Sequence, residues 1–95
     1  MPAYAIGFLR YKDADAYRRY SSALAPMLQA HGGVLLAGDN HPVALAGPPC
    51  DRVVLLRFES TDAALRLFNA PEYQQIAQDR DKGAHVELQL VQGGT

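Results

Sequence analysis

Apolar positions in this chain follow two periods, one of about two residues and one of about three and a half. Residues 3–9 (Ala-Tyr-Ala-Ile-Gly-Phe-Leu) form a strand-length, aromatic-rich block. Asp13 or Asp15 then offers a short carboxylate to the free amides of a helix's first turn. Tyr17, Tyr20, Leu24, Met27, Leu28 and His31 recur at helical spacing behind it. Pro26 lies inside this helix and is expected to kink it, because its ring meets the carbonyl of Ser22. Gly32-Gly33 ends the helix, since glycine takes the left-handed position without a Cβ penalty.

Residues 34–37 read as a second strand, and 38–42 (Gly-Asp-Asn-His-Pro) as turn chemistry. Residues 43–47 look like a short returning edge strand that Pro48-Pro49 stops. The run 52–58 (Arg-Val-Val-Leu-Leu-Arg-Phe) is the strongest strand, with apolar residues on both faces. Ser60 caps a second helix whose apolar stripe is Ala64, Leu65 and Phe68. Pro71 opens a further short helix, with Tyr73, Ile76, Ala77 and Arg80 on one side and Lys82-Gly83 at its end. Residues 86–91 alternate as a strand, and residues 92–95 read as a frayed tail.

The resulting order, β-α-β-(β)-β-α-β, predicts an α+β, ferredoxin-like βαββαβ domain over residues 1–95, with an extra short edge strand and the helices on one sheet face. Its second sheet face needs a cover. If Val54, Leu56 and Phe58 face the helices, Val53 and Leu55 point the other way, beside Arg57, Glu87 and Gln89. The simplest cover is a second copy of the chain, so a homodimer is expected.

Composition narrows the class of partner. The chain has 95 residues with nine basic and ten acidic side chains, a net charge of −1 that leaves no electrostatic footprint for nucleic acid. No apolar stretch reaches membrane-spanning length, and residues 1–9 lack the basic start of a secretory signal. The single cysteine, Cys50, cannot form an internal disulfide, which fits a reducing compartment; the expected location is cytoplasmic. A folded chain of this mass is expected to expose roughly 5,400 Å².

Candidate chemistry is sparse. No phosphate loop, dinucleotide fingerprint, nucleophile elbow or HExxH motif occurs, and His31, His41 and His85 lack ligand spacing, so neither a cofactor nor a metal is expected. His41 is the candidate catalytic base, lying in Asp39-Asn40-His41-Pro42, where Asp39 can orient its ring; its ordinary alternative is a solvated turn histidine. His31 either complements the dipole of the first helix or lines a pocket. Tyr17, Tyr20 and Tyr73 suit either core packing with a hydroxyl at the rim or the hydrogen-bonding wall of a pocket. Arg52 and Arg57 stand on a mostly apolar strand, ready for a carboxylate or enolate ligand or for pairing with Asp51, Glu59 or Glu87. Cys50 has no nearby activating base and reads as a spectator thiol.

Along nearly its whole length the chain resembles the domain-of-unknown-function family numbered thirteen-thirty, within the dimeric α/β-barrel superfamily. The resemblance is carried by Met1-Pro2-Ala3-Tyr4, Ala16-Tyr17 with Tyr20 and Pro26, and His31-Gly32-Gly33. It continues in Arg52-Val53-Val54-Leu55-Leu56 with Phe58 and Ser60, in Ala70-Pro71-Glu72-Tyr73-Gln74, and in Leu90-Val91-Gln92-Gly93. The family pattern has an acidic residue and a Trp before the third strand, where this chain reads Leu45-Ala46-Gly47-Pro48-Pro49-Cys50-Asp51, and commonly a Ser where Ala70 stands. The resemblance implies a ferredoxin-like protomer whose sheet pairs with its mate's into a barrel-like dimer, and it selects no chemistry. Three functions stay open: a homodimeric small-molecule-binding protein, a cofactor-independent isomerase or monooxygenase acting on a small carbonyl or phenolic metabolite, and a dimerisation module without a ligand. In the first two, Tyr17, Tyr20, His31, Asp39, Arg52 and Tyr73 are the expected ligand-binding residues.

Overall fold

The computed structural model describes residues 1–93, so Gly94 and Thr95 of the expected tail lie outside the described residues. The elements run β1 (Ala3–Tyr11), α1 (Ala14–Ala30), β2 (Val34–Asp39), β3 (Arg52–Phe58), α2 (Thr61–Phe68), α3 (Pro71–Gly83) and β4 (Ala84–Gln92). All strand pairs are antiparallel, in the order β2-β3-β1-β4, and the sheet is open. This is the predicted ferredoxin-like α+β arrangement, with one helix after β1 and two after β3.

Local chemistry explains the element ends. Asp13 caps α1, its carboxylate accepting the backbone N–H of Asp15 at 3.1 Å and of Ala16 at 3.4 Å. At the far end, Gly33 N–H donates to the Leu28 carbonyl at 2.8 Å and Gly32 N–H to that of Gln29 at 3.1 Å, a double closure that requires the positive φ of 71° at Gly32. The helix continues through Pro26, whose side chain lies on the exposed side. Ser60 caps α2 by accepting the Ala63 N–H at 3.1 Å.

The core lies between one sheet face and the helices. Ala3, Ala5, Gly7 and Leu9 of β1 point into it, as do Leu56 and Phe58 of β3. Against them pack Tyr20 of α1, Ala64 and Leu67 of α2, and Tyr73 and Ala77 of α3. Of the stripe predicted for α2, Ala64 is buried and Phe68 packs against the core, but Leu65 is 42% exposed, and Ala63 and Leu67 are buried instead. Helical geometry places residues 60, 64, 67 and 68 on one side, and Leu65 falls off that side.

Two further expectations are corrected. Residues 43–47 form no strand, and Val43 and Leu45 are 83% and 96% exposed. Pro42, Pro48 and Pro49 supply no N–H for a ladder, so β2 itself remains the sheet edge. Gln92 is not frayed: it pairs with Ala3 at the end of β4, and the next N–H, of Gly93, donates to the Pro2 carbonyl at 2.7 Å.

The molecule is a slab of 32 × 31 × 16 Å. It exposes 6018 Å², about 600 Å² above the roughly 5,400 Å² expected for its mass. The sheet face away from the helices carries Ile6 and Phe8 of β1 and Val53 and Leu55 of β3, with Val34 and Val91 towards its margins. Pro42, Val43, Leu45, Pro48 and Pro49 fold over one end of that face, next to Phe8 and Val53. The loop is tied down where it returns to β1, by Asp51 N–H to the Leu9 carbonyl and Tyr11 N–H to the Asp51 carboxylate, both at 2.8 Å. Among the described residues, no helix is long and apolar enough to cross a membrane.

Candidate functional site

The helical spacing of α1 sets Tyr17, Tyr20, Leu24 and Leu28 in one row above the sheet. Opposite them, the period-two alternation of β3 presents Arg52, Val54 and Leu56 on the same face as Gly7 and Leu9 of β1. The row and the strands do not close fully. Between them lies a cavity of about 250 Å³, to which Phe68, Arg80, Val86 and Leu88 also contribute walls.

Its polar groups are concentrated and asymmetric in charge. The Tyr20 and Tyr73 hydroxyls are 2.9 Å apart, and Arg80 Nη1 donates to the Tyr73 hydroxyl at 3.0 Å. Arg80 is also held by Asp81, at 3.0 Å through Nε and 3.4 Å through Nη2. Arg52 instead donates through Nη1 to the neutral Asn40 side chain at 2.8 Å. Among the described residues it has no carboxylate partner, so neither Asp51, Glu59 nor Glu87 takes the pairing role considered for it. Glu87 pairs with Arg10 at 3.8 Å on the far sheet face.

The aromatic side chains form one continuous series. Tyr11, Tyr17, Tyr20, Tyr73, Phe68 and Phe58 meet successively with ring centroids 5.0 to 6.1 Å apart, mostly edge to face. Burial, reinforced by Tyr11 and opposed by Arg52, pushes the Tyr17 hydroxyl up to about 12. Burial and then the adjoining Tyr73 hydroxyl drive Tyr20 well above the ordinary phenol range. Burial works against the charge of Arg80, but its bonds to Asp81 and Tyr73 prevail and raise its pKa. Both tyrosines therefore stay neutral O–H groups through the physiological range.

A pH dependence follows from these shifts. Each tyrosine has a folded pKa above its unfolded value of about 10, so its contribution to stability is complete below pH 10 and is lost as pH rises through the folded value. The urea midpoint is expected to hold from pH 7 to about 9 and to fall between about 10 and 12, less steeply in Tyr17→Phe. A Tyr17→Phe profile that superimposes on the parent profile contradicts the assigned role of Tyr17.

The candidate residues separate by position. Tyr17, Tyr20 and Arg52 line the cavity. Tyr73 stands behind it, buried and bonded to Tyr20. His31 is the C-cap of α1, half-buried and outside the lining. Asp39 and His41 lie on exposed backbone beyond the cavity; Asp39 Oδ1 accepts the His41 backbone N–H at 2.8 Å, an Asx turn that shapes the loop. Among the described residues, no group of three or more His, Cys, Asp or Glu side chains gathers to hold an ion. Arg80 and Ser21 join the lining without having stood out in the sequence. The available signal for Arg80 was its place two turns beyond Tyr73 on the apolar side of α3.

A family model described as Domain of unknown function (DUF1330) matches residues 2–94. No curated protein matches the chain significantly. Solved structures share its fold at low identity. A protein of unknown function from Rhodopseudomonas palustris is 18% identical, with a TM-score of 0.84 over 99% of this chain and 83% of that one. The cofactor-independent oxygenase SnoaB from Streptomyces nogalater is 12% identical, with a TM-score of 0.71 over 99% and 94% of the two chains. A dimeric ferredoxin-like protein of unknown function from Thermobifida fusca is 15% identical, with a TM-score of 0.61 over 96% and 90%.

Proposed function

The chain belongs to the DUF1330 family, and from that premise we propose that it is a homodimeric small-molecule-binding protein whose ligand occupies the cavity between α1 and the sheet. The observation that carries this reading is the cavity itself: about 250 Å³, walled by aliphatic side chains, with a few convergent polar groups at Tyr17, Tyr20, Arg52 and Arg80. Ligand-observed NMR with a library of small aromatic and aliphatic compounds tests it. Hits are expected for the parent protein and their loss in Leu24→Trp, which fills the cavity; hits that persist in Leu24→Trp count against the site.

The dimer is supported by the apolar sheet face and by the dimeric neighbour from Thermobifida fusca. The exposed Val34 of β2, paired with Arg57, extends that surface to the sheet edge. A standard interface removes about 800 Å² per partner. Light scattering is expected to give twice the chain mass of 10.3 kDa, and the chain mass alone for Leu55→Asp. A monomeric parent protein at micromolar concentration removes the dimer from this reading. Single-cysteine composition supports a cytoplasmic setting.

A catalytic reading follows the fold of SnoaB and needs a proton acceptor at the substrate. The described lining contains no His, Asp, Glu, Lys or Cys, and His41 stands outside it, so binding is the reading favoured.

A further inference from the structure

We infer that the cavity selects a small organic anion, a carboxylate or enolate of about ten non-hydrogen atoms with an aromatic or apolar body, and that Arg52 receives its charged end. This rests on the reading of the cavity as a ligand site and adds the ligand's charge and size.

Size comes from volume. A cavity of roughly 150 Å³ admits benzene with its six carbons, so about 250 Å³ admits roughly ten non-hydrogen atoms. Charge comes from the inventory of the walls. The described lining holds two guanidinium groups, those of Arg52 and Arg80, and no carboxylate. Asp81 satisfies Arg80 from outside the lining. Among the described residues, Arg52 bonds the amide oxygen of Asn40 alone, which leaves a cation with unused donors at the cavity wall. The neutral Tyr17 hydroxyl, which lines both the cavity and the adjoining groove with Arg52, is able to donate to such an anion.

The backbone next to Arg52 is fitted to this arrangement. A Cβ on Gly38 would collide with Arg52 Nη2 and approach its guanidinium carbon to 3.1 Å. The absence of a side chain at position 38 thus leaves the space that the guanidinium occupies. Arg52 also borders a shallow surface groove with Tyr11, Tyr17, Ser21 and Asn40, which puts it between solvent and the apolar interior. An anion with an apolar body entering from that groove places its charge on Arg52 and its body on Leu24, Leu28, Val54 and Leu88.

Phenylacetate and phenylacetamide, which have one shape and differ in charge, provide the test. Both are titrated into isotope-labelled protein at pH 7 and followed by the amide resonances of Tyr20, Ser21, Leu24 and Val54. Phenylacetate is expected to bind about tenfold or more tightly than the amide, as a charge-assisted bidentate contact implies. Arg52→Gln is expected to bring phenylacetate down to the amide's affinity while leaving the amide unchanged. Gly38→Ala, which keeps the charge but displaces the fork, is expected to weaken phenylacetate alone. Equal binding of the two probes, with Arg52→Gln silent, overturns the anion assignment and leaves the cavity as a ligand site. If neither probe moves these resonances at 20 mM, the ligand-binding reading falls and this inference falls with it.

Discussion

Phe58→Ala is expected to lower the unfolding free energy by about 4 kcal/mol, the usual scale for truncating a fully buried aromatic. Phe58 is fully buried at the end of β3, where it pairs across the sheet with Ala3 and meets the Phe68 ring edge to face at 5.8 Å. Removing it takes away its own burial and leaves Phe68 without that partner, at the point where sheet, α2 and α3 share one core. Small domains carry about 5–15 kcal/mol in total, so the loss is a large fraction of what holds the protomer together. The melting temperature should drop on the order of 20 °C. Phe58→Leu, which keeps most of the volume, is expected to cost less than half as much. Urea denaturation with an unchanged slope distinguishes a core loss from a change in the unfolded chain; a cost for Phe58→Ala below about 1 kcal/mol contradicts this account of the core.

Gly83→Ala should cost about 3 kcal/mol, at the upper end for overpacking. The added Cβ would strike the Tyr17 backbone nitrogen and come within 2.7 Å of the Tyr17 Cα and Cβ. Main chain cannot swing aside as a side-chain tip can. The site is also pinned, because the N–H groups of Lys12 and Asp13 both donate to the Gly83 carbonyl, at 2.8 and 3.0 Å. Relief therefore requires α1 to move off α3, which shifts Tyr17 and with it the wall of the cavity. Denaturation measures the cost directly, and the phenylacetate titration should show a parallel loss of affinity. A Gly83→Ala protein of parental stability means that the α1–α3 contact yields freely.

Much of this architecture was legible in the order of residues. The caps at Asp13 and Ser60, the stop at Gly32, the start at Pro71 and the two-sided apolar pattern of residues 52–58 each depend on near neighbours. The failures share a cause. Residues 43–47 are a short apolar run of strand length, but a strand needs backbone groups paired with a neighbour, and the flanking prolines cannot supply the ladder. Leu65 fits a helical stripe on hydrophobicity, while the sheet takes the side of α2 that carries Ala64 and Leu67.

For the candidate site the division falls in the same place. Tyr17, Tyr20 and Arg52 could be singled out in the sequence as polar groups carried on apolar faces, and they reach the cavity wall. Asp39 and His41 stand out in the sequence as titratable neighbours in the same way, yet the end of β2 and the loop after it lie outside the cavity lining, and their mutual bond uses the His41 backbone. What the sequence by itself determined is the kind of each element and the faces it can bury, because periodicity, capping and turn chemistry act over a few residues. Only the tertiary structure decided that, among the described residues, Arg52 stands near Tyr17 without a carboxylate partner while Arg80 is paired with Asp81. Residues from α1, α3 and β3 meet there through packing between elements, and that packing decides which charges find partners.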